Sequence, residues 1–465
     1  MRGNKRLSRS SGKWASVNFL CGALGLATII LSMPPTTQAQ TEKILHTFTG
    51  TIDGSMPNSG VIFDSAGNLY GATEAGGDPN SCLGTGCGVI YKLSPGAAGG
   101  WQETMLLRFL TSATGAIPTG NVLFNASGNL FGAVHAGGDA YACYVGNIDG
   151  CGMIFELTPA SPEWQESILR SFNSGIGGGI PNGSLVADAS GDLFGTTQDG
   201  GSYKGVCDSY GCGVVFRISP ISGGGWKETV LHTFTDGVDG GFPSAPLIFD
   251  AAGNLYGTAV SGGTGNGCQC GVVFELSLTS SGLWKETVLH TFSGNADGSF
   301  PFAGLTLDAA GNLYGTAFRG GNLSGCDGSG CGVVFQLSRV GIGHWRETVL
   351  HSFTGGTDGS QPTAGLTVDG AGNVYGTTPT GGEPSCGFDA KGCGVAFELS
   401  PTSNGVWNET VLHTFMGGAD GSDPASGLTL DANGNLYGTT VFGGNLEGCY
   451  NSGCGVVFEI IPQGR

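Results

Sequence analysis

Short hydrophobic runs separated by glycine-rich polar turns dominate this chain. One unit shows the pattern: "ETVLHTF" at 228–234 is followed by "PLIFD" at 246–250, "NLYGTA" at 254–259 and "GVVFELS" at 271–277. These runs are rich in Val, Phe and Thr, which favour β-strands. In "ETVLHTF" alternate residues fall on opposite faces, as they do in a strand. No sustained period of 3.6 residues follows residue 40, so the pattern predicts four strands per unit and an all-β protein.

The unit is repeated along the chain at intervals of 58 to 63 residues. The first residues of the seven copies of the phrase "DAAGNLYGTA" are Asp64, Asn125, Asp188, Asp250, Asp308, Asp369 and Asp431. Seven four-stranded units without a helix predict a seven-bladed β-propeller, in which neighbouring blades cover each other's apolar faces. An open β-solenoid is the alternative, but this period is too long for one solenoid coil.

The phase of the repeat predicts how the ring closes. The segment "TEKILHTF" at 41–48 matches the fourth strand of the other units, whereas the chain ends on "GCGVVFEI" at 453–460, which matches the third. We therefore expect residues 42–48 to supply the outer strand of the last blade. The propeller is predicted to be one domain spanning residues 40–465.

The first 39 residues have the pattern of a signal peptide. Five basic residues precede an apolar run from about Ala15 to Met33. The small residues Thr37 and Ala39 then suggest a cleavage site directly after Ala39. An uncleaved membrane anchor is the alternative. After cleavage we expect a secreted or periplasmic bacterial protein, and no membrane span would remain.

Acidic residues outnumber basic ones in the predicted mature chain. The full chain has 18 Lys and Arg and 36 Asp and Glu, and the five basic residues of the signal segment leave 13 against 36, a net charge of −23. Such a surface argues against nucleic acid and anionic membranes as partners. Cationic ligands or calcium are compatible with it. The 90 glycines accompany 39% hydrophobic and only 12% charged residues, which indicates a folded chain with many turns.

The repeat resembles a known family. The motifs "GNLYGTT", "GCGVVFEL" and "WxETVLHxF", recurring in this order, resemble the GloVer tandem repeat of secreted bacterial proteins, over about residues 42–461. The phrase "GLTLDAAGNLYGTA" at 304–317 is also similar to the inner hairpin of NHL-type propellers. The family is known as choice-of-anchor, but the last residues, "IIPQGR", do not resemble an anchoring tail, so we expect none here. The resemblance implies no defined activity.

Fourteen cysteines occur as one pair per unit, just before the third strand. In a secreted chain this regular spacing predicts disulfides, each closing a short loop. A zinc site is the alternative, but it would need four ligands from two neighbouring loops, because no histidine accompanies any pair. No metal and no cofactor are predicted. The expected disulfides join Cys82 to Cys87, Cys143 to Cys151, Cys207 to Cys212, Cys268 to Cys270, Cys326 to Cys331, Cys386 to Cys393, and Cys449 to Cys454.

Histidine and aspartate recur together in five units, seven residues apart. The pairs are His46 and Asp53, His232 and Asp239, His290 and Asp297, His351 and Asp358, and His413 and Asp420. Leu107 and Arg170 take the histidine position in the two other units, and their loops lack the aspartate. This joint presence predicts that the imidazole contacts the "DG" loop. Five copies favour a structural role, since one active site needs only one pair.

If the repeated residues are scaffold, function is expected where the copies differ. They differ most after "GNLYGT" and through the cysteine-bearing loop. The candidate ligand rim predicted from these differences comprises Glu74, His135, Asp199, Tyr203, Lys204, Phe318, Arg319, Asp389, Phe442 and Glu447.

Two classes of function fit this sequence. The first is a secreted, non-catalytic, monomeric binding or scaffold module for extracellular glycans or proteins, since no nucleophile motif with plausible partners is found. The second is a propeller enzyme of lyase, lactonase or glycosidase type with its site at the channel mouth. His135 is the best argument for the second, because it is the only histidine at its repeat position. No catalytic residue is assigned.

Overall fold

Each repeat folds into a four-stranded antiparallel sheet, and seven such sheets form in the described part of the chain. A computed structural model describes residues 41–96, 99–110, 114–138, 143–145, 148–161, 163–204, 207, 210–263, 267–341, 343–386 and 391–462. The predicted signal segment, residues 1–39, lies outside these ranges. Among the described residues, no helix has the length and the hydrophobicity to cross a lipid bilayer.

The strands follow the chain order within six of the seven blades. Blade 1 is built from β2 (Ile62–Phe63), β3 (Leu69–Thr73), β4 (Val89–Pro95) and β5 (Trp101–Arg108). Blade 2 is built from β6 (Ala116–Phe124), β7 (Leu130–Ala136), β10 (Met153–Thr158) and β11 (Gln165–Ser171). A hairpin of β8 (Tyr144–Val145) and β9 (Ile148–Asp149) lies in its stapled loop, which is the disulfide-closed loop between the second and third strands of a blade. Blade 3 is built from β12 (Gly179–Ala187), β13 (Leu193–Asp199), β14 (Val214–Pro220) and β15 (Trp226–Thr233).

The remaining blades repeat this arrangement, and short 3-10 helices occupy three of the stapled loops. Blade 4 is built from β16 (Ile248–Phe249), β17 (Leu255–Ala259), β18 (Val272–Leu278) and β19 (Trp284–Thr291). Blade 5 is built from β20 (Thr306–Leu307), β21 (Leu313–Ala317), β22 (Val333–Gly341) and β23 (His344–Ser352). Blade 6 is built from β24 (Thr367–Val368), β25 (Val374–Thr378), β26 (Val395–Pro401) and β27 (Trp407–Thr414). Blade 7 is built from β28 (Thr429–Leu430), β29 (Leu436–Thr440), β30 (Val456–Ile461) and β1 (Thr41–Thr47). The 3-10 helices are Cys82–Gly84, Cys326–Gly328 and Cys449–Asn451.

The first strand of the chain completes the last blade, which confirms the predicted closure. β1 pairs antiparallel with β30, from Thr41 opposite Ile461 to Thr47 opposite Val456. The fold is therefore an all-β, seven-bladed propeller in which both ends of the described chain meet in one sheet.

The hydrophobic core lies between the blades. Each buried cluster combines side chains from two neighbouring blades, and the cluster at the closing seam joins Leu45 and Phe48 to Leu69, Val89 and Tyr91 of blade 1. Phe48 is fully buried, and its ring centroid lies 5.2 Å from that of Tyr91. The N-terminal segment thus supplies core as well as a strand.

Seven equivalent hydrogen bonds tie each stapled loop to the next blade. The residue before a proline donates its amide to the carbonyl of the second cysteine in the preceding blade, as Phe242 does to Cys212 at 2.8 Å. The residues in this position are Met56, Ile117, Ile180, Phe242, Phe300, Gln361 and Asp423. All seven have φ between 55° and 59°, a region that is uncommon for non-glycine residues and disfavoured before proline. The contacts between blades must therefore hold this backbone in place.

The cysteines pair within each unit as the sequence predicts, with Cα–Cα distances of 5.0 to 5.3 Å. Several staples pack directly against the loop that follows the outer strand. A Cβ atom on Gly50 would lie 2.5 Å from Cys449 Sγ, and one on Gly417 would lie 2.6 Å from Cys386 Sγ. Stapled loops and "DG" loops therefore share one rim of the propeller.

Blades 2 and 3 have much longer inner strands than the others. β6 and β12 span nine residues each, whereas the inner strands of the other blades span two. These two blades follow the two loops without the "DG" aspartate. The repeat pattern does not predict this difference in strand length.

Candidate channel site

A cavity of about 690 Å³ lies at one end of the central channel, and all seven blades line it. Every blade contributes residues from the segment before its inner strand, and blades 1, 2, 3, 4 and 6 also contribute one residue near the end of the second strand. This volume is within the usual range for small-molecule sites.

The two sides of the cavity differ in polarity. Blades 4, 5 and 6 contribute a mainly apolar wall that includes Phe242, Val260, Phe302 and Pro379, together with Ser244 and Thr363. Blades 7, 1, 2 and 3 contribute carboxylates, amides, several hydroxyls and an imidazole. The polar residues on this side include Asn58, Glu74, Asn121, His135, Asn182, Ser184, Gln198 and Asp423. The cavity can therefore offer hydrogen bonds on one side and an apolar surface on the other.

Glu74 and Asp423 form an acidic pair across the closing seam, one from blade 1 and the other from blade 7. Asn58 donates its side-chain amide to Glu74 Oε1 at 2.8 Å. Burial raises the pKa of Glu74 despite this hydrogen bond. Burial, and then repulsion from Glu74, raise the pKa of Asp423 to about 6. Both shifts mean that the ionised form of each carboxyl is disfavoured at this site.

His135 brings a neutral imidazole to the same cavity at neutral pH, because burial lowers its pKa to about 4. Two hydroxyl oxygens of lining residues, Ser244 Oγ and Thr363 Oγ1, are buried and have no hydrogen-bond partner among the described residues. Buried polar atoms are normally satisfied, so these two are exceptions, but their burial leaves almost no surface through which a ligand could contact them.

The structure brings only part of the predicted rim to the cavity. Glu74 and His135 line it, and the Phe318 ring packs edge-on against Phe302, with centroids 5.5 Å apart. Arg319 lies over the rings of Phe300 and Phe318. Of the predicted rim, only Glu74 and His135 therefore line the cavity itself.

The other predicted rim residues lie away from the described lining. Burial raises the pKa of Asp199 to about 6, and that side chain acts on the nearby Tyr203. Phe442 pairs with Ser422 through an isolated bridge, whereas Tyr203, Lys204 and Glu447 are exposed. Asp389 lies outside the described residues.

Sequence reasoning missed most of the polar wall. The X–Pro step before the inner strand holds Asp423 or is followed directly by Asn58 and Asn182. This segment lies outside the second-strand ends and the cysteine loops, where the copies differ most. A signal was present: Asp423 is the only acid among the seven pre-proline residues. Glu74 is likewise the only acid at its second-strand position.

The recurring histidines lie close to their aspartates and also face the next blade. The five Nε2–Oδ2 distances run from 3.3 to 3.8 Å. His413 Nε2 lies 3.3 Å from Asp420 in one direction and 3.8 Å from Glu42 of the neighbouring outer strand in the other. Burial alone would raise the pKa of Asp420, but hydrogen bonds from His413 and from the Met416 amide lower it.

The glutamate of the "W-x-E" motif lies in the neighbouring blade, opposite this His–Asp pair. In the two units without a pair, this glutamate has a different partner or none. Arg170 takes the histidine position and forms a 2.6 Å ion pair with Glu228. Leu107 takes the equivalent position toward blade 2, and there burial raises the pKa of Glu166 to about 7 with no charged partner contributing. One Glu166 oxygen is buried without a hydrogen-bond partner among the described residues.

Replacing Glu166 with Gln is expected to stabilise the protein at high pH only. The pKa of this carboxyl is about 7 in the folded state and near 4.5 in the unfolded state. Its contribution to stability is therefore complete below pH 4.5 and is lost as the pH rises through 7. The side chain is partly exposed, so screening reduces the gain to roughly 1 kcal/mol at pH 8. Urea unfolding at pH 4 and pH 8 measures it, with the exposed Glu163→Gln as control. Equal stability of Glu166→Gln and wild type at pH 8 would contradict the assignment.

The comparisons with known proteins fit this architecture. The model of the Gloeobacter/Verrucomicrobia repeat matches residues 6–206, 143–388 and 328–465. The chain therefore belongs to this family of repeat proteins, the one that the GloVer motifs indicate. Among curated proteins, none matches the chain.

Several solved structures are similar at low identity. A luciferin-regenerating enzyme is 12% identical, with a TM-score of 0.42, over 92% of this chain and 96% of that one. A PL25 ulvan lyase is 12% identical, with a TM-score of 0.46, over 87% and 90%. The PQQ-bound aldose sugar dehydrogenase of Streptomyces coelicolor is 12% identical, with a TM-score of 0.39, over 90% and 98%. At these scores the similarities carry no argument about function.

Proposed function

We propose that this protein is a secreted binding module that holds a glycan in the channel cavity. In this proposal residues 1–39 are removed on export, and the seven disulfides stabilise the mature chain outside the cell. The observation that carries the proposal is the division of one 690 Å³ cavity into a polar and an apolar side. A sugar ring presents hydroxyl groups around its edge and C–H groups on its faces, so it matches such a cavity.

The repeat supports the same location. Residues that maintain the fold recur in every blade, whereas the cavity positions differ from blade to blade. The equivalent position near the end of the second strand holds Glu74, His135 and Gln198 in blades 1 to 3, and apolar residues in blades 4 to 7. A purely structural channel would not require this asymmetry.

Filling the cavity is expected to abolish ligand binding without unfolding the protein. The mature protein would be screened on a glycan array beside Thr363→Trp, which places an indole in the lining, and Ser403→Trp, in an exposed turn of blade 6. We expect Thr363→Trp to lose at least 10-fold in signal and Ser403→Trp to retain it. Full binding by a folded Thr363→Trp would refute the cavity as the site.

A propeller enzyme is the second candidate, and one observation favours it. Glu74 and Asp423, whose pKa values are raised, share the cavity with the neutral His135, as groups suited to proton transfer would. Mass spectrometry of array-positive glycans after incubation tests it. Cleavage by wild type but not by Asp423→Asn would establish catalysis, whereas intact glycans would leave binding as the function.

A further inference from the structure

The charge of the cavity points to the class of ligand. Among its described lining residues, the carboxylates Glu74 and Asp423 stand without any Lys or Arg, and His135 is neutral at pH 7. A neutral sugar would leave these acids uncompensated, and an anionic one would be repelled. A ligand with a positive charge would relieve the repulsion across the seam between blades 7 and 1.

The local hydrogen bonds leave acceptors free for such a charge. Asn58 uses its amide nitrogen on Glu74, so its carbonyl oxygen has no partner among the described residues. The backbone of Asp423 is fixed by its amide bond to the Cys393 carbonyl and by the bonds its own carbonyl accepts from Ala425 and Val441. No hydrogen bond to its carboxylate is found in the described structure. Three acceptor groups thus belong to one corner of the cavity.

A protonated amine fits this corner better than a metal ion does. An ammonium group has three N–H donors, which equals the number of acceptor groups from Glu74, Asp423 and Asn58. Calcium requires six to eight oxygen ligands, and no group of three or more His, Cys, Asp or Glu that could hold a metal is found among the described residues. The aromatic ring of Phe302, which lines the cavity from blade 5, can pack against the apolar face of a sugar ring.

We infer that the ligand is a glycan containing amino sugars with free amines, and that Glu74, Asp423 and Asn58 bind the ammonium group. This inference rests on the proposed function. It also draws on the repeat, because each acid replaces a non-acidic residue found at the equivalent position of every other blade.

Two probes that share one sugar backbone and differ in N-acetylation, and therefore in charge, test the inference. Calorimetry on the mature protein would compare a β-1,4-linked glucosamine tetramer, which carries free amines, with its fully N-acetylated counterpart. We expect the amine form to bind at least 10-fold more tightly. Asp423→Asn should reduce this preference to about 3-fold or less, since Asn is tolerated at positive φ and the variant should fold. Glu74→Gln provides a second variant, and the exposed Glu163→Gln should leave the preference unchanged.

The outcomes separate this inference from the proposed function. Equal or tighter binding of the N-acetylated tetramer would overturn it, as would an intact preference in both Asp423→Asn and Glu74→Gln. If neither tetramer binds while a neutral glycan binds and is lost in Thr363→Trp, the proposed function stands and the inference is wrong. If the preference is present but Thr363→Trp retains it, the site lies elsewhere and both are wrong.

Discussion

Deleting residues 41–48 is expected to abolish the cooperative unfolding transition of the propeller. The deletion removes the strand that pairs with β30 and the buried side chains of Leu45 and Phe48. Truncating a buried Leu or Phe commonly costs about 2–5 kcal/mol each. Their sum is comparable to the whole stability of a typical domain, roughly 5–15 kcal/mol. Circular dichroism during urea unfolding of the deleted and the mature chain measures the effect.

A peptide supplied in trans gives this experiment its control. A synthetic peptide of residues 41–48 should restore a cooperative transition at high concentration, because it can re-form the ladder with β30. The same peptide with Leu45 and Phe48 replaced by Asp should not. A sharp transition of the deleted chain at the wild-type midpoint would show that closure by β1 does not stabilise the ring.

Replacing Gly213 with Ala is expected to destabilise the protein by about 3–5 kcal/mol. Gly213 follows the second cysteine of blade 3 and has φ of 88°. A Cβ atom there would lie 2.2 Å from the carbonyl oxygen of Thr197 and 2.7 Å from Cδ of Pro243 in the next blade. Both neighbours are stiff, so the blade contact itself would have to open.

Gly253→Ala isolates the effect of the backbone angle. Gly253 has φ of 84° in an exposed hairpin turn, and a Cβ atom there would meet nothing within 4 Å. Only the left-handed conformation is penalised, at about 1–2 kcal/mol. The free energies of unfolding from urea titrations compare the two variants. Equal losses would show that Pro243 does not pack tightly on Gly213 and would contradict the close contact between blades 3 and 4.

The repeat made most of the fold predictable, because seven copies report the same environment. The match of "TEKILHTF" to the outer strands gave the closure of the ring. The predicted inner strand at 246–250 is shorter in the structure, where β16 spans only Ile248–Phe249. Residues 246, 247 and 250 lie outside this strand, in the segments that join it to the X–Pro step and to the hairpin turn. The long β6 and β12 could not be predicted, since their length depends on the missing "DG" loop and on packing between blades 2 and 3.

The candidate site was predictable only where copies differ within a strand. Glu74 and His135 stood out because they occupy a repeat position that is apolar in blades 4 to 7. Asp423 and Asn58 did not, because the left-handed backbone before each proline turns its neighbours toward the channel, and no local pattern signals that conformation. The position of the "W-x-E" glutamates opposite the His–Asp pairs depends on the ring, which places outer strands of neighbouring blades side by side.

A crystal structure of the mature protein with its tightest-binding array glycan tests the central claim most directly. The account predicts density for the glycan inside the channel cavity, with polar groups toward Glu74, Asp423 and Gln198 and a ring face toward Phe302. Density on the outer surface of the blades, with an empty cavity, would contradict it.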